Sequence, residues 1–214
     1  MFKTFCFDND IKPINSKVAI DLGAGNGIQT IALAESGFNV IAIDFNNQLI
    51  TELKSRIGSH TIEVFNDDIK SFRKYSQPQP ELIVCCGDTL PHLDSFTEVK
   101  KLIQDSFDIL SSNGRLILTF RDYSTDLEDT DRFIPVKSDS LRILTCFIEY
   151  FPDKLRVTDL LYEFLNDKWI QKVSSYFKTR ISSELVVGFL KNSGFDIILN
   201  NNTNRIITII GQKN

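Results

Sequence analysis

Short apolar runs alternate with longer amphipathic segments over residues 17–120 of the chain. The apolar runs predict five strands, at residues 18–22, 40–43, 61–65, 82–86 and 115–120. Between them, apolar positions at helical spacing predict helices at residues 28–36, 46–57, 69–75 and 96–110. Strands that alternate with helices are typical of βα units and a parallel sheet. The run at 82–86 is apolar throughout, which predicts a strand in the middle of a sheet that is covered on both faces.

The pattern changes after residue 120. Residues 124–140 are polar and acid-rich, which predicts a loop. Three β-rich segments follow without an intervening helix, at residues 142–150, 155–165 and 169–179, and they predict an antiparallel meander. A last helix at 182–192 precedes two strands, at 195–199 and 205–210, joined through an asparagine-rich turn. Together with the first five strands, these two predict a seven-stranded sheet with one domain over residues 1–214.

Composition and charge narrow the class of partner. The 214 residues are 42% hydrophobic and 24% charged, values typical of a globular domain with a packed core. The net charge of -4 gives no overall attraction to nucleic acid or to an anionic membrane, so neither is an expected partner. No secretory leader pattern or long apolar segment is evident, and the composition therefore predicts a cytoplasmic protein.

Cysteine and histidine usage gives no sign of a metal site. The four cysteines lack C-x-x-C spacing, and only two histidines are present. A structural zinc site needs a cluster of four such ligands, so we expect no bound metal. The cysteines are interpreted as reduced thiols, two of them, Cys85 and Cys86, inside the apolar fourth strand.

A glycine-rich turn is the most informative stretch of the sequence. Asp21-Leu-Gly-Ala-Gly-Asn-Gly27 stands directly between the first predicted strand and the first helix. Glycines let backbone amides approach a ligand closely, and the helix N-terminus adds partial positive potential there. A dinucleotide fingerprint would carry its third glycine where Ile28 stands, so the G-x-G-x-x-G pattern is not met.

Acidic residues follow the next two strands. Asp44 ends the second strand, at the place where nucleotide-binding α/β folds carry the acid that binds ribose hydroxyls. This acid suits either a nicotinamide cofactor or S-adenosylmethionine. Asp67 and Asp68 follow the third strand, and they are candidates for binding the cofactor or for capping the next helix.

The acid followed by G-x-G-x-G resembles motif I of class I S-adenosylmethionine-dependent methyltransferases. The resemblance implies a Rossmann-like doubly wound α/β sheet whose last strand is antiparallel, with the β-meander inserted as a lid over residues 121–181. It also implies roles: Asp44 for ribose, Asp67 or Asp68 for the adenine amino group, and Asp21 near the methionine ammonium. The expected cofactor-binding residues are Asp21, Gly23, Ala24, Gly25, Gly27, Asp44, Phe45, Asp67, Asp68, Ile69, Cys86 and Gly87.

Two later segments resemble glycine and sarcosine N-methyltransferases. Residues 85–93 are similar to their C-x-G-N-S-F-A-H-L segment, with Gly87 and His92 matching and Asp88 in place of the amide. His92 and Asp88 are therefore the catalytic candidates, and simple loop packing is the alternative for His92. Residues 120–123 are similar to the H-R-N-Y segment, which implies that Arg121 binds a substrate carboxylate. Four aromatic residues are expected to wall the substrate site or to pack within the meander: Tyr123, Tyr150, Trp169 and Tyr176.

The sequence thus predicts methyl transfer from S-adenosylmethionine to a small molecule, with amines and amino or carboxylic acids as the expected acceptors. Gly87-Asp-Thr-Leu90 stands where nucleic-acid amino methyltransferases carry a D/N-P-P-Y/F tetrad, which disfavours that substrate class. A non-catalytic S-adenosylmethionine-binding module and a nicotinamide-dependent oxidoreductase are the alternatives. Oligomeric state is left open.

Overall fold

A computed structural model describes residues 2–214. The strands are β1 (Val18–Leu22), β2 (Asn39–Asp44), β3 (Ile62–Asn66), β4 (Leu82–Cys85), β5 (Arg115–Arg121), β6 (Phe133–Ser138), β7 (Arg142–Tyr150), β8 (Lys154–Leu165), β9 (Lys168–Thr179), β10 (Asp196–Thr203) and β11 (Ile206–Gln212). The α-helices are α1 (Phe2–Asp8), α2 (Ile28–Glu35), α3 (Asn47–Arg56), α4 (Phe96–Ile109) and α5 (Ser183–Ser193). Short 3-10 helices lie at Ile69–Tyr75, Leu90–His92 and Asp129–Arg132.

Residues 2–214 build a main sheet of seven strands in the order β10-β11-β5-β4-β1-β2-β3. Neighbouring strands from β3 to β5 are parallel, whereas β11 is antiparallel to both β5 and β10. The prediction of a seven-stranded sheet with an antiparallel last strand is confirmed. The sharp hairpin between β10 and β11 explains the reversal, because two strands joined by a tight turn must pair antiparallel.

Helices cover both faces of the main sheet. Successive side chains of a strand point to opposite faces, so Ile20 and Ile83 pack with α4 and α5, whereas Ala19 and Val84 pack with α1 and α2. All five residues of β1 are buried. A strand that is buried on both faces has no polar alternation, which is why the central strands read as continuous apolar runs. The fold is therefore doubly wound.

Polar caps fix where three of the helices begin. The Asn46 side-chain oxygen accepts from the amides of Gln48 (3.0 Å) and Leu49 (3.2 Å) at the start of α3. Ser95 and Ser182 hold α4 and α5 in the same way. The helix α1 at the start of the chain was not predicted. None of the helices in residues 2–214 is long and apolar enough to cross a bilayer.

A second, antiparallel sheet, here called the lid sheet, consists of β6, β7, β8 and β9. The sequence predicted three strands and a loop over 124–140, but residues 133–138 of that stretch form β6 and pair with β7. This part of the loop prediction was wrong because Phe133, Ile134 and Val136 form a short apolar run inside the acid-rich stretch, and β7 supplies the backbone partners for an edge strand. The lid sheet has a small core of its own, centred on Ile148, Leu155 and Val157.

The short helix predicted at residues 69–75 is a 3-10 helix. One further boundary differs from the prediction. The asparagine-rich residues 200–203 lie in β10, not in a turn, because each pairs with a residue of β11. The turn falls on Asn204 and Arg205, which both have positive φ.

Candidate active site

A cavity of about 660 Å³ lies at the carboxyl ends of β1, β2 and β4. Ligands of open α/β sheets bind at this edge, where the loops after parallel strands converge. The cavity is lined by Gly23, Gly25, Asp44, Phe45, Asn46, Leu49, Asp68, Ile69, Lys70, Gly87, Thr89, His92, Leu93 and Asp94. Eight of these are among the residues that the sequence singled out: Gly23, Gly25, Asp44, Phe45, Asp68, Ile69, Gly87 and His92.

The three glycines of the first loop have different roles. All have positive φ, at 74° for Gly23, 54° for Gly25 and 88° for Gly27. Gly23 and Gly25 line the cavity, so their backbone forms its wall. A Cβ at Gly27 would lie 2.3 Å from Leu53 Cδ1, so this glycine lets α3 pack against the loop. The structure does not bring Gly27, or its neighbour Ala24, to the cavity wall.

Asp44 is the acid that ties the two strand ends together. One of its carboxylate oxygens accepts from the Gly25 amide and the other from the Asn46 amide, both at 2.8 Å. The residue is only 7% exposed, and the part that is exposed faces the cavity. Each carboxylate oxygen keeps a lone pair free, so Asp44 can still accept from two hydroxyls of a ligand.

Asp21 lies behind the cavity wall. Its side chain is buried and accepts a 2.6 Å hydrogen bond from the Thr30 hydroxyl. Burial raises the pKa of Asp21 to about 7, the Thr30 hydrogen bond works against this rise, and the nearby Asp44 charge adds to it. A carboxyl that titrates near neutrality beside a cofactor site responds to any cation placed next to it.

The acids Asp67 and Asp68 point to different places. Asp67 accepts a 2.8 Å hydrogen bond from the Tyr75 hydroxyl and pairs with Lys74, contacts that lower its pKa, with Lys74 the larger cause. Asp68 lines the cavity and caps the following 3-10 helix through the Lys70 amide at 2.8 Å. Of the two, only Asp68 is brought to the cavity.

The loop after β4 forms the opposite wall. Gly87 has a φ of 72°, and a Cβ built there meets nothing within 4 Å, so a side chain would project into open space beside the cavity. Cys86 is buried behind it, with its carbonyl accepting from the Thr89 hydroxyl at 2.8 Å. A Cβ at Gly23 would lie 2.4 Å from Thr89, so the two loops touch at that point.

Asp88 is held by three donors. It accepts from the Arg121 amide and the Tyr123 hydroxyl, both at 2.8 Å, and forms an ion pair with Lys178. Both oxygens of Asp88 are thus already engaged by groups of the protein, which leaves less room for the catalytic role that the sequence predicted for it. No motif in the sequence points to Lys178, because it lies in the last lid strand, 90 residues from Asp88.

His92 lies exposed at the rim of the cavity and stacks on Tyr176, with the ring centroids 5.4 Å apart. The protein atoms around the ring displace part of its hydration, and this desolvation lowers the pKa of His92. The positive charge of Lys178 lowers it further, and Asp88 acts in the opposite direction. The imidazole is therefore neutral at pH 7 and able to accept a proton.

The predicted substrate residues are only partly brought together. Arg121 and Tyr150 line a small cavity of about 50 Å³ beside buried Tyr123. Within residues 2–214, the exposed Arg121 guanidinium forms no ion pair, and the buried Tyr150 hydroxyl has no hydrogen-bond partner. Trp169 does not contribute: it is 49% exposed at the far end of β9 and packs on Phe164.

Several lining residues escaped sequence reasoning. Asn46 and Leu49 follow Asp44 at the start of α3, and Thr89 and Leu93 belong to the loop that carries His92. Their proximity in sequence to Asp44 and His92 was the available signal. Lys70 and Asp94 also line the cavity, and these two charged residues carry no motif of their own.

The cavity fits a nucleoside with a cationic tail. Its volume lies within the usual range for small-molecule sites, roughly 300–1,000 Å³. The backbone at Gly87 leaves open space where a side chain would protrude. Asp44 offers acceptors for paired hydroxyls, and the buried Asp21 stands behind the loop as a second acid. This set of acceptors suits S-adenosylmethionine, which carries a ribose and two cationic groups.

Comparison with known proteins agrees with this geometry. Residues 19–114 match the family model described as a methyltransferase domain. The chain is 23% identical over 125 residues to the glycine/sarcosine N-methyltransferase of Aphanothece halophytica, a match that covers 58% of this chain and 47% of that protein. The chain therefore spans about half the length of this curated relative.

Solved structures share the complete fold. A S-adenosylmethionine-dependent methyltransferase from Clostridium acetobutylicum superposes with a TM-score of 0.80 at 16% identity, covering 99% of this chain and 89% of that one. The sugar N-methyltransferase KedS8 from Streptoalloteichus gives a TM-score of 0.78 at 11% identity, covering 99% and 84%. At such identities the likeness establishes the fold, and it includes the lid sheet.

Proposed function

We propose that the chain is a class I S-adenosylmethionine-dependent methyltransferase and that it methylates an amine nitrogen of a small molecule that also carries an anionic group. One observation carries the proposal. The cofactor cavity ends at His92, which stacks on Tyr176 at the base of the lid sheet. Arg121 stands beside this base and has no acidic partner among residues 2–214.

The cofactor would lie along the strand ends. Asp44 would accept from the ribose hydroxyls, Asp68 and Phe45 would flank the adenine, and the backbone at Gly23 and Gly87 would leave room for the methionine part. When bound, S-adenosylmethionine supplies an electrophilic methyl group on a sulfonium. The task left to the protein is alignment of the acceptor and exclusion of water.

His92 is the proposed proton acceptor. An amine attacks only when it is neutral, so an incoming ammonium has to lose a proton first. The lowered pKa of His92 leaves the ring unprotonated at neutral pH, and the ring lies at the rim of the cavity. Asp88 is excluded from this role in the proposal because its oxygens are already bound.

The acceptor class is supported by chemistry and by resemblance. Arg121 offers a planar fork of donors, which matches a carboxylate or phosphate. Glycine/sarcosine and sugar N-methyltransferases both act, by their names, on nitrogen.

The cofactor part is tested by titration calorimetry with S-adenosylhomocysteine. We expect Asp44→Ala to weaken binding by about tenfold or more, because hydrogen bonds to a carboxylate commonly contribute on the order of 1.5–3 kcal/mol. Asp108→Ala, which changes an exposed acid on α4, is the matched control and should bind as the wild type does. Unchanged affinity in a folded Asp44→Ala protein would contradict the cofactor assignment.

The acceptor part is tested with a panel of amines, amino acids, amino sugars and hydroxy acids, assayed for release of S-adenosylhomocysteine. We expect an amine with an anionic group to be the best acceptor, and Arg121→Ala to raise its KM while cofactor affinity stays the same. A best acceptor without an anion, or an Arg121→Ala enzyme equal to the wild type, would refute the role of Arg121. Cofactor binding without any turnover would favour a non-catalytic binding module.

A further inference from the structure

A buried ion pair joins the lid sheet to the main domain. Lys178, near the end of β9, is 7% exposed, and its ammonium contacts Asp88 in the loop after β4. The ammonium also lies 3.5 Å from the Tyr123 hydroxyl and over the rings of Tyr123 (5.7 Å) and Tyr176 (5.8 Å). A single side chain thus contacts the loop after β4, the segment after β5 and its own strand.

We propose that Lys178 is a positioning residue for the acceptor end of the site: by binding Asp88 it holds the Tyr176–His92 stack and Tyr123 against the cavity. The inference rests on the proposed function, since it assigns Lys178 a part in that same site. Lys178 reaches the acceptor only through these neighbours.

The free-energy cost of burying charge indicates that Lys178 serves to orient its neighbours rather than to stabilise the fold. Removing two charges from water is costly, and replacing a buried ion pair with well-packed apolar residues is often neutral or stabilising. An apolar residue at position 178 would fill the space, but it would leave Asp88 without its cation. An ion pair with fixed geometry therefore sets the orientation of these groups more than it contributes to folding.

A neighbouring contact provides a natural control. The Thr179 hydroxyl donates to the Leu93 carbonyl at 2.5 Å, so the same strand is tied to the same loop by an uncharged hydrogen bond. If the loop only needs a mechanical tie, loss of either contact should have the same effect. If Lys178 acts through its charge and its contact with Asp88, only its loss should change the surroundings of His92.

The experiment is an NMR titration of the two histidines, His92 and His60. His60 lies on the loop between α3 and β3, away from the lid sheet, and serves as the internal reference. We expect Lys178→Met to raise the pKa of His92, because a nearby cation is removed while Asp88 stays. Asp88→Asn should lower it, and the double variant should lie close to the wild type.

Three controls separate this role from general loosening of the fold. Lys172→Met removes an exposed lysine from the same face of β9 and should leave both histidines unchanged. Thr179→Val should also leave the pKa of His92 unchanged. Lys178→Arg keeps the charge, so it should stay near the wild-type pKa and retain turnover, whereas Lys178→Met should lower kcat by about tenfold to a hundredfold.

The outcomes are distinguishable from failure of the proposed function. If Lys178→Met leaves the pKa of His92 unchanged, or if Thr179→Val shifts it equally, the positioning role is overturned. Should Lys178→Met fail to fold, Lys178→Gln makes the same test, because it also removes the charge and keeps a polar side chain beside Asp88. S-adenosylhomocysteine affinity, measured on the same variants, reports on the cofactor site alone and should stay within about twofold of the wild type.

Discussion

The cofactor half of the molecule and the lid sheet are built on different principles. In the cofactor half, the groups that line the cavity are backbone atoms or side chains placed where β1, β2 and β4 end. In the lid sheet, the groups that reach the site belong to one end of β9 and meet partners from distant loops. The first arrangement is local in sequence, whereas the second exists only after folding.

The two regions also differ in burial. β1 is buried along its whole length, while residues 168–175 of β9 are all exposed. The lid sheet relies on a small core around Ile148, Leu155 and Val157 and on its contacts at the base. Regions with few buried contacts open at lower free energy than the main core. We therefore expect the lid sheet to respond to mutation separately from the cofactor site.

Of the variants that test this difference between the two regions, Leu155→Ala should cause the largest loss of stability in the lid sheet. Leu155 is fully buried in the lid core, and removing such a side chain typically costs about 2–5 kcal/mol. We expect faster amide hydrogen exchange in β7, β8 and β9 with little change in S-adenosylhomocysteine affinity. Leu190→Ala, the same change at a fully buried position of α5, should instead lower the global free energy of unfolding. Loss of cofactor affinity in Leu155→Ala equal to that in Asp44→Ala would refute the separation.

Gly27→Ala tests the cofactor half. A Cβ there would overlap Leu53 at 2.3 Å in a backbone with φ of 88°, so overpacking and strain together should cost about 2–3 kcal/mol. Gly58→Ala is the control, because Gly58 also has positive φ but has open space around its missing Cβ. Urea denaturation measures both. Equal losses in the two variants would show that backbone strain alone matters at Gly27.

Asp21 should make stability depend on pH. Its pKa is about 7 in the folded chain against about 3.9 for an unperturbed aspartate, so between these values the folded state holds the extra proton. The stability that this group contributes is fully present below about pH 3.9 and is lost as the pH rises to about 7. The pKa of His92 is lowered, so the contribution of His92 to stability increases as the pH rises, opposite to that of Asp21.

The difference between wild type and Asp21→Asn isolates the aspartate. We expect the wild type to lose more stability than the variant between pH 5 and pH 7, by up to about 1.4 kcal/mol for each pH unit, and the two curves to run parallel above pH 8. Urea denaturation at fixed pH values gives both curves. Parallel curves throughout would mean that Asp21 ionises normally.

Trp169→Ala should have the smallest effect. The ring is half exposed and packs on Phe164 at 5.3 Å, so its loss should cost about 0.5–1.5 kcal/mol. Kinetic constants for the best acceptor should not change, because the register places Trp169 ten residues from Thr179, which is about 33 Å along the strand. Tyr176→Ala is the comparison, and it should alter turnover. A raised KM in Trp169→Ala would return this residue to the substrate site.

Periodicity and turn chemistry were enough to predict most of the main sheet. The central strands and the starts of α3, α4 and α5 follow from local patterns of apolar residues, caps and turns, whereas the antiparallel last strand was implied by the family resemblance. Errors arose where a partner strand determined the conformation. Residues 133–138 pair with β7 although a proline interrupts them and acidic residues precede and follow them. Residues 200–203 pair with β11 although they are too polar to signal a strand.

By itself, the sequence determined where the cavity at the strand ends lies, because chain connectivity places Gly23, Gly25 and Asp44 at the ends of β1 and β2. The tertiary structure alone decided which polar groups find partners. Asp67 turns to Tyr75 and Lys74, and Asp88 turns to Lys178, so neither is left as the free acid that its position suggested. The physical reason is that an acidic residue is free or paired according to which basic residue folding brings into contact with it. The distance between two such residues in the folded chain cannot be read from their spacing in the sequence.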